Sequence, residues 1–251
     1  MEVFMFKTLK LVILACLPVL TLAGCNKSDK TIVVGASSTP HALILEEAKA
    51  YIKEQGYELN IKIFDDYVLP NYALENGELD ANYFQHRPYM DDFNRSNGTH
   101  LKEVLKVHLE PLGLYIGTKR SLIDYQVGDK IIVPSDKSNY DRAVALLEYI
   151  GLEKPNLVEV EAQSIPLMLS DCAYAVINGN YVLSAGVVDR CLITEDKDSD
   201  IAKTMANIIA VKEGNEENEK TRVLVDALKQ DNIKTFISSS FGSSVIYVGD
   251  N

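Results

Sequence analysis

The sequence predicts an α/β chain folded as two lobes joined by two crossing strands. Three observations carry that reading. A strand–helix–strand pattern opens the chain after residue 30, and a second α/β pattern begins after about residue 119. Two extended apolar runs, 104–116 (VLKVHLEPLGLYI) and 207–212 (NIIAVK), stand where the two patterns meet. One lobe is expected at 31–115 with 207–251, and the other at 116–206; residues 1–24 and 25–30 belong to neither.

Those first residues read as a signal. Lys7 and Lys10 form a basic flank, and 11–23 (LVILACLPVLTLA) is an apolar run of 13 residues. A bilayer span takes about 20, whereas this length suits a secretory leader. The run ends in Leu22-Ala23-Gly24-Cys25, which resembles the bacterial lipobox. There the cysteine thiol takes a diacylglycerol carrying palmitate-type chains, and the bond before it is cut. Cys25 is thus the expected lipid anchor and NKSDK (26–30) a tether, placing the protein on the extracytoplasmic face of the cell membrane. No second apolar run is long enough to span a bilayer.

The 251 residues, 47% hydrophobic and 24% charged, have the profile of a globular chain with sizeable cores. A net charge of −11 without any Lys/Arg cluster argues against nucleic acid as a partner.

In order, 31–36 (TIVVGA) reads as a buried strand. Thr39 is a candidate N-cap with Pro40 at the first helical position. The helix carries Ile44, Ala48, Tyr51 and Ile52 on one face and stops at Gly56. Alternation in 59–64 makes a second strand, so the unit should be a right-handed parallel crossover. The turn at Ser37-Ser38 then lies at the strand's carboxyl end, where open α/β sheets bind ligands. A short helix at 70–76, a strand at 79–81 and a helix at 89–97 follow. Further strands are expected at 130–134, 157–161 and 174–177. Ser138 is the expected N-cap of a helix reaching Ile150, with Asp141 completing a capping-box-like pair. A short helix is expected at 166–170, a helix opening at 178–181, and acidic loop over 191–199. Strand 207–212, helices at 219–230 and 232–238 and a strand at 245–248 end the chain.

Residues 79–89 (LDANYFQHRPY) stand out. Three aromatics, an imidazole, a guanidinium, two amides and a proline fall within eleven residues, a density that suits the wall of a small-molecule cleft and equally an amphipathic loop. Asn178 and Asn180 flank Gly179 at a strand-to-helix turn, where amides serve ligands or caps. Arg142, near a helix N-terminus, suits an anion, or a surface ion pair.

Several stretches together resemble one family: VGASSTPHALILEEAK, FDDYVLPNYALENGELDANYFQHRPY, VHLEPLGLY, DRAVALLE, AVINGNYVL and NIIAVKEG. They are similar to the methionine-binding lipoproteins of the NlpA type, the solute-binding components of methionine ABC importers. The resemblance runs from Thr31 to the C-terminus. It implies a bilobed periplasmic-binding-protein-like fold of type II, no enzymatic activity and no cofactor. The partners it implies are L-methionine or a related small ligand, an ABC permease and its ATPase subunit. It also implies site roles. Tyr67, Phe84, His86 and Tyr89 would wall the thioether, Arg142 would hold the carboxylate, and Asn139, Asn178 and Asn207 would bond the carboxylate and ammonium. Tyr83 and Arg87 fall to support and surface. Two departures stand out: Thr39-Pro40-His41 replaces a Gly-Pro-His, and Asn139-Tyr140-Asp141-Arg142 replaces an Asn-Gln-Gly-Arg.

Rival readings remain at this point: a methionine-containing dipeptide, another amino acid or a metal as ligand, an enzyme on the same fold, or a non-transport surface lipoprotein. His86 and His108, with His41 third, are the candidate metal ligands. Asp65-Asp66 and Asp91-Asp92 make poor acid/base dyads, because adjacent side chains diverge. No nucleotide or hydrolase motif is present. Cys172 and Cys191, lacking a Cys-x-x-Cys spacing, are read as free thiols or a disulfide.

Overall fold

The computed structural model describes residues 30–249. The leader, the lipobox with Cys25 and the start of the tether lie outside the described residues.

β1 (Thr31–Ala36) is apolar and β-branched because it is buried on both faces, with Ile32 and Val34 in one core and Val33 against another. The expected helix start at Thr39-Pro40 is displaced. Thr39 is extended (φ −139, ψ 133), as a residue before proline is pushed to be. Residues Ser38–Ala42 form a wide turn, and regular helix starts only with α1 (Leu43–Glu54). β2 (Glu58–Ile63) pairs parallel with β1, completing the crossover. After α2 (Leu69–Glu75) comes β3 (Ala81–His86), a strand later than the 79–81 expected, parallel to β1. α3 (Arg87–Asn97) and β4 (Leu101–Leu109) follow.

Pro111 has no N–H to give a ladder, and the chain leaves the first sheet there. β5 (Gly113–Ile116) belongs to the second sheet, so the first crossing falls at 110–112, earlier than the boundary at 115 read from sequence. The second lobe continues with β6 (Lys130–Pro134), α4 (Lys137–Tyr149), β7 (Asn156–Val160), β8 (Tyr174–Ile177), α5 (Gly179–Ala185) and β9 (Cys191–Thr194). β9 corrects the acidic loop expected at 191–199: Leu192 and Ile193 pack on the lobe's core and the strand pairs with β5. The helix expected at 166–170 is a longer 3-10 segment, Ala162–Asp171. After α6 (Asp200–Thr204), β10 (Asn207–Lys212) returns to the first sheet, and α7 (Glu219–Leu228), α8 (Asp231–Phe241) and β11 (Ile246–Tyr247) complete it.

The two sheets have strand orders β11–β4–β10–β3–β1–β2 and β7–β6–β8–β5–β9. In the first lobe Ile44, Leu45 and Ile52 of α1 share one core with Leu224, Leu228, Ile233 and Ile237 of α7 and α8. Each such side chain contributes about 1.5–3 kcal/mol by leaving water. Cys172 and Cys191 are free thiols, and among the described residues no helix is long and apolar enough to cross a membrane.

Candidate functional site

The carboxyl ends of the parallel strands of both sheets face each other across the crossing segments. Into that cleft project Tyr67 after β2, the β3–α3 junction, Glu110 and Asn207 from the first lobe. The second lobe supplies the N-termini of α4 and α5. The two walls line a narrow cavity of about 350 Å³ counting space open to solvent, of which only about 20 Å³ is room for the centre of a water molecule. Tyr67, Phe84, His86, Tyr89, Asn139, Arg142, Asn178 and Asn207 all border it. Tyr83 instead lies fully buried behind the wall, its hydroxyl bonded to His108 Nδ1, and Arg87 is exposed.

A register shift makes the wall. Opposite β10, Gln85 pairs with Ile208 and Tyr83 with Ile209, so Phe84 is an extra residue on β3. Such a bulge re-aims side chains. It lets Tyr83 stay in the core while Phe84 enters the cavity and Gln85 joins Asn82 and Asn71 in a closed set of amide hydrogen bonds. The rings of Tyr67, Phe84 and Tyr89 then meet at centroid distances of 5.7–6.2 Å. His86 ends the strand and caps α3, its Nδ1 accepting from the Tyr89 N–H at 3.2 Å.

The opposite wall is polar. The N-cap of α4 is Asp136, not Ser138: Asp136 accepts from the Asn139 N–H and also from the Asn139 side-chain amide. Arg142 therefore sits in the second helical turn rather than the first, beyond the free N–H groups. Its Nε and Nη2 donate to the Glu195 carboxylate, and Nη2 also donates to the Glu110 carbonyl at 2.8 Å. Asn139 Oδ1 accepts from Asn178 Nδ2 at 2.8 Å and from His86 Nε2 at 3.2 Å. Asn178 Oδ1 is buried with no donor among the described residues. An orphaned buried acceptor costs about 1–3 kcal/mol unless something supplies a proton to it.

Glu110 is the residue that sequence reasoning missed. It is buried, borders the cavity and accepts from His108 Nε2 at 2.8 Å and from the Asn180 backbone N–H. Gly179 exists to admit it: a Cβ there would stand 2.6 Å from Glu110 Oε2. Burial pushes the Glu110 carboxyl above its ordinary range, while the Arg142 guanidinium pulls it back. The available signal was one acid inside the apolar run VHLEPLGLYI.

Of the candidate metal ligands, His86 stands apart on Asn139. His41, His108 and Glu110 do converge, their ligand atoms within 4.8 Å of one another. Each imidazole nitrogen already has a protein partner: Ser37 and Asn207 for His41, Tyr83 and Glu110 for His108. One assignment satisfies all four, with the hydroxyls donating to Nδ1 and each Nε2–H donating onward. Both rings are then neutral, and the 3.5 Å approach of His41 to Glu110 is no ion pair.

That neutrality makes stability pH-dependent. Burial depresses His41 and His86 to about 4 and His108 to about 3; Arg142 further lowers His86. The unfolded chain takes up these protons near pH 6.5, the folded chain only near 4 and below, so stability is lost as pH falls through that window. Each proton is worth about 1.4 kcal/mol per pH unit; the raised Glu110 opposes with at most one. Thermal melts from pH 7 to 4 should show a steep fall in midpoint, flattened when His108 is replaced by Gln.

The lobes are in direct contact. Tyr67 donates to Asn180 Oδ1 at 2.6 Å, Tyr181 to the Asp65 carbonyl at 3.1 Å, and His86 meets Asn139.

Comparisons with known proteins place the chain among lipoproteins. A family model described as NlpA lipoprotein matches residues 32–156 and 154–248. The methionine-binding lipoprotein MetQ of Bacillus subtilis is 34% identical over 90% of this chain and 91% of its own. A lipoprotein structure from Ruminococcus gnavus superposes with a TM-score of 0.84 at 47% identity, covering 87% of this chain and 99% of that one. A nutrient-binding protein from Burkholderia cenocepacia, solved bound to methionine, superposes at 0.81 with 31% identity, covering 86% and 99%.

Proposed function

We infer function from one premise: this chain belongs to the NlpA lipoprotein family. It is the extracytoplasmic substrate-binding component of an ABC importer, capturing methionine between its lobes and delivering it to a membrane permease powered by a separate ATPase. The lipid anchor is Cys25, and the capture lobes are 31–110 with 207–251 and 111–206. No chemical step belongs to it; the ligand leaves unchanged.

The observation that carries the reading is the presence of opposite charges, Arg142 and Glu110, on one cavity beside an aromatic wall. Methionine is a zwitterion with a thioether tail. Arg142 meets its carboxylate. Glu110 and the orphaned Asn178 Oδ1 take its ammonium, with Asn139 and Asn207 orienting both groups. Tyr67, Phe84 and Tyr89 face the sulfur, at roughly 0.3–1.5 kcal/mol per contact, and His86 holds the wall to Asn139. Ligand touching both lobes favours the closed form, which is a population shift.

A second reading, a metal receptor, is favoured only by the convergence of His41, His108 and Glu110. Calorimetric titration separates the two: methionine should saturate the cleft, whereas saturation by Zn²⁺ without methionine binding selects the metal.

A further inference from the structure

We propose that Glu195 is a positioning residue for ligand capture, fixing the Arg142 guanidinium from behind. This rests on the methionine reading of the cavity.

Glu195 lies just past β9 and extends the β5–β9 ladder by one pair. Its N–H donates to the Leu112 carbonyl at 2.9 Å, and its carboxylate accepts the Leu112 N–H at 3.1 Å. Backbone and side chain are thus both anchored to the first crossing. From there the carboxylate takes Arg142 side-on, with Nε to Oε2 at 3.0 Å and Nη2 to Oε1. The side chains are 4% and 10% exposed.

Position decides what the pair does. Arg142 borders both the cleft cavity and a separate depression lined by Leu146 and Tyr149; Glu195 borders the depression and not the cavity. The acid therefore approaches the face of the arginine turned from the ligand. With Nε and Nη2 committed, Nη1 has no hydrogen-bond partner among the described residues. It is the arm left for an anion. A guanidinium locked on two edges loses little rotamer freedom when a third contact forms.

The alternative is that Glu195 occupies Arg142 in competition with the ligand carboxylate. The two roles predict opposite signs. Long-range charge also acts against the positioning role, since removing an acid beside Arg142 leaves a stronger field for a carboxylate. A loss of affinity can then come only from lost geometry.

The test compares Glu195→Gln with wild type in calorimetric titrations of methionine and of methioninamide, which lacks the carboxylate. Affinity for methionine should drop about tenfold or more, with little change for methioninamide. Tighter methionine binding would mean competition, and an equal loss for both ligands would mean a merely structural role. No change for either would mean no role; each of these three overturns the proposal. If wild type does not bind methionine, the reading of the cavity fails instead. Should Glu195→Gln not fold, Glu195→Asp, which keeps the charge on a shorter stem, is read the same way.

Discussion

Arg142→Ala should weaken methionine binding by about 2–5 kcal/mol, the usual cost of truncating one partner of a buried charge pair, or roughly thirtyfold to several thousandfold. The substitution also leaves the Glu195 carboxylate buried with the Leu112 N–H as its one remaining donor among the described residues. A charge stranded in this way costs about 3 kcal/mol of folding stability. The two effects separate in the double variant Arg142→Ala with Glu195→Ala, which removes the stranded acid. Its melting temperature should return most of the way to wild type while calorimetry still finds methionine binding lost. Recovery of binding together with stability would take Arg142 out of the site.

Glu110→Gln should be the second large effect. The amide keeps an acceptor for His108 but presents its NH₂ toward the Asn180 N–H, donor against donor. About 1–3 kcal/mol of stability should be lost. The negative charge proposed to meet the ligand ammonium also goes, and methionine affinity should fall by about 2 kcal/mol or more. An analogue lacking the amino group, 4-(methylthio)butanoate, should lose far less. An equal loss for both ligands would place Glu110 in the scaffold alone.

Much of this was legible in the sequence because hydrophobic period is local. The 2-residue alternation of 59–64 and the 3.6-residue spacing of Ile44, Ala48 and Ile52 need no partner to be read. The eight site residues implied by the family resemblance all border one cavity. Phe84, His86, Tyr89 and Asn178 lie in the dense runs YFQHRPY and INGNY, whereas Tyr67, Asn139, Arg142 and Asn207 stand outside them and came from the resemblance. What escaped was relational. The bulge at Phe84 depends on register with β10, more than 120 residues downstream. Asp136 and Ser138 are both good caps, and the choice rests on where the Asn139 N–H points. Glu110 looked like an acid interrupting a strand, and Glu195 like one more charge in TEDKD. Their roles come from what approaches them: Gly179 and His108 for the first, Arg142 and Leu112 for the second.

The cleft itself is most directly tested by titrating methionine into mature protein that has been unfolded, dialysed free of small molecules and refolded. One methionine bound per chain, with affinity abolished by Arg142→Ala in the stabilised double variant, is the expected result. Refolded protein that gives neither heat nor a shift in melting temperature with millimolar methionine would contradict a methionine receptor.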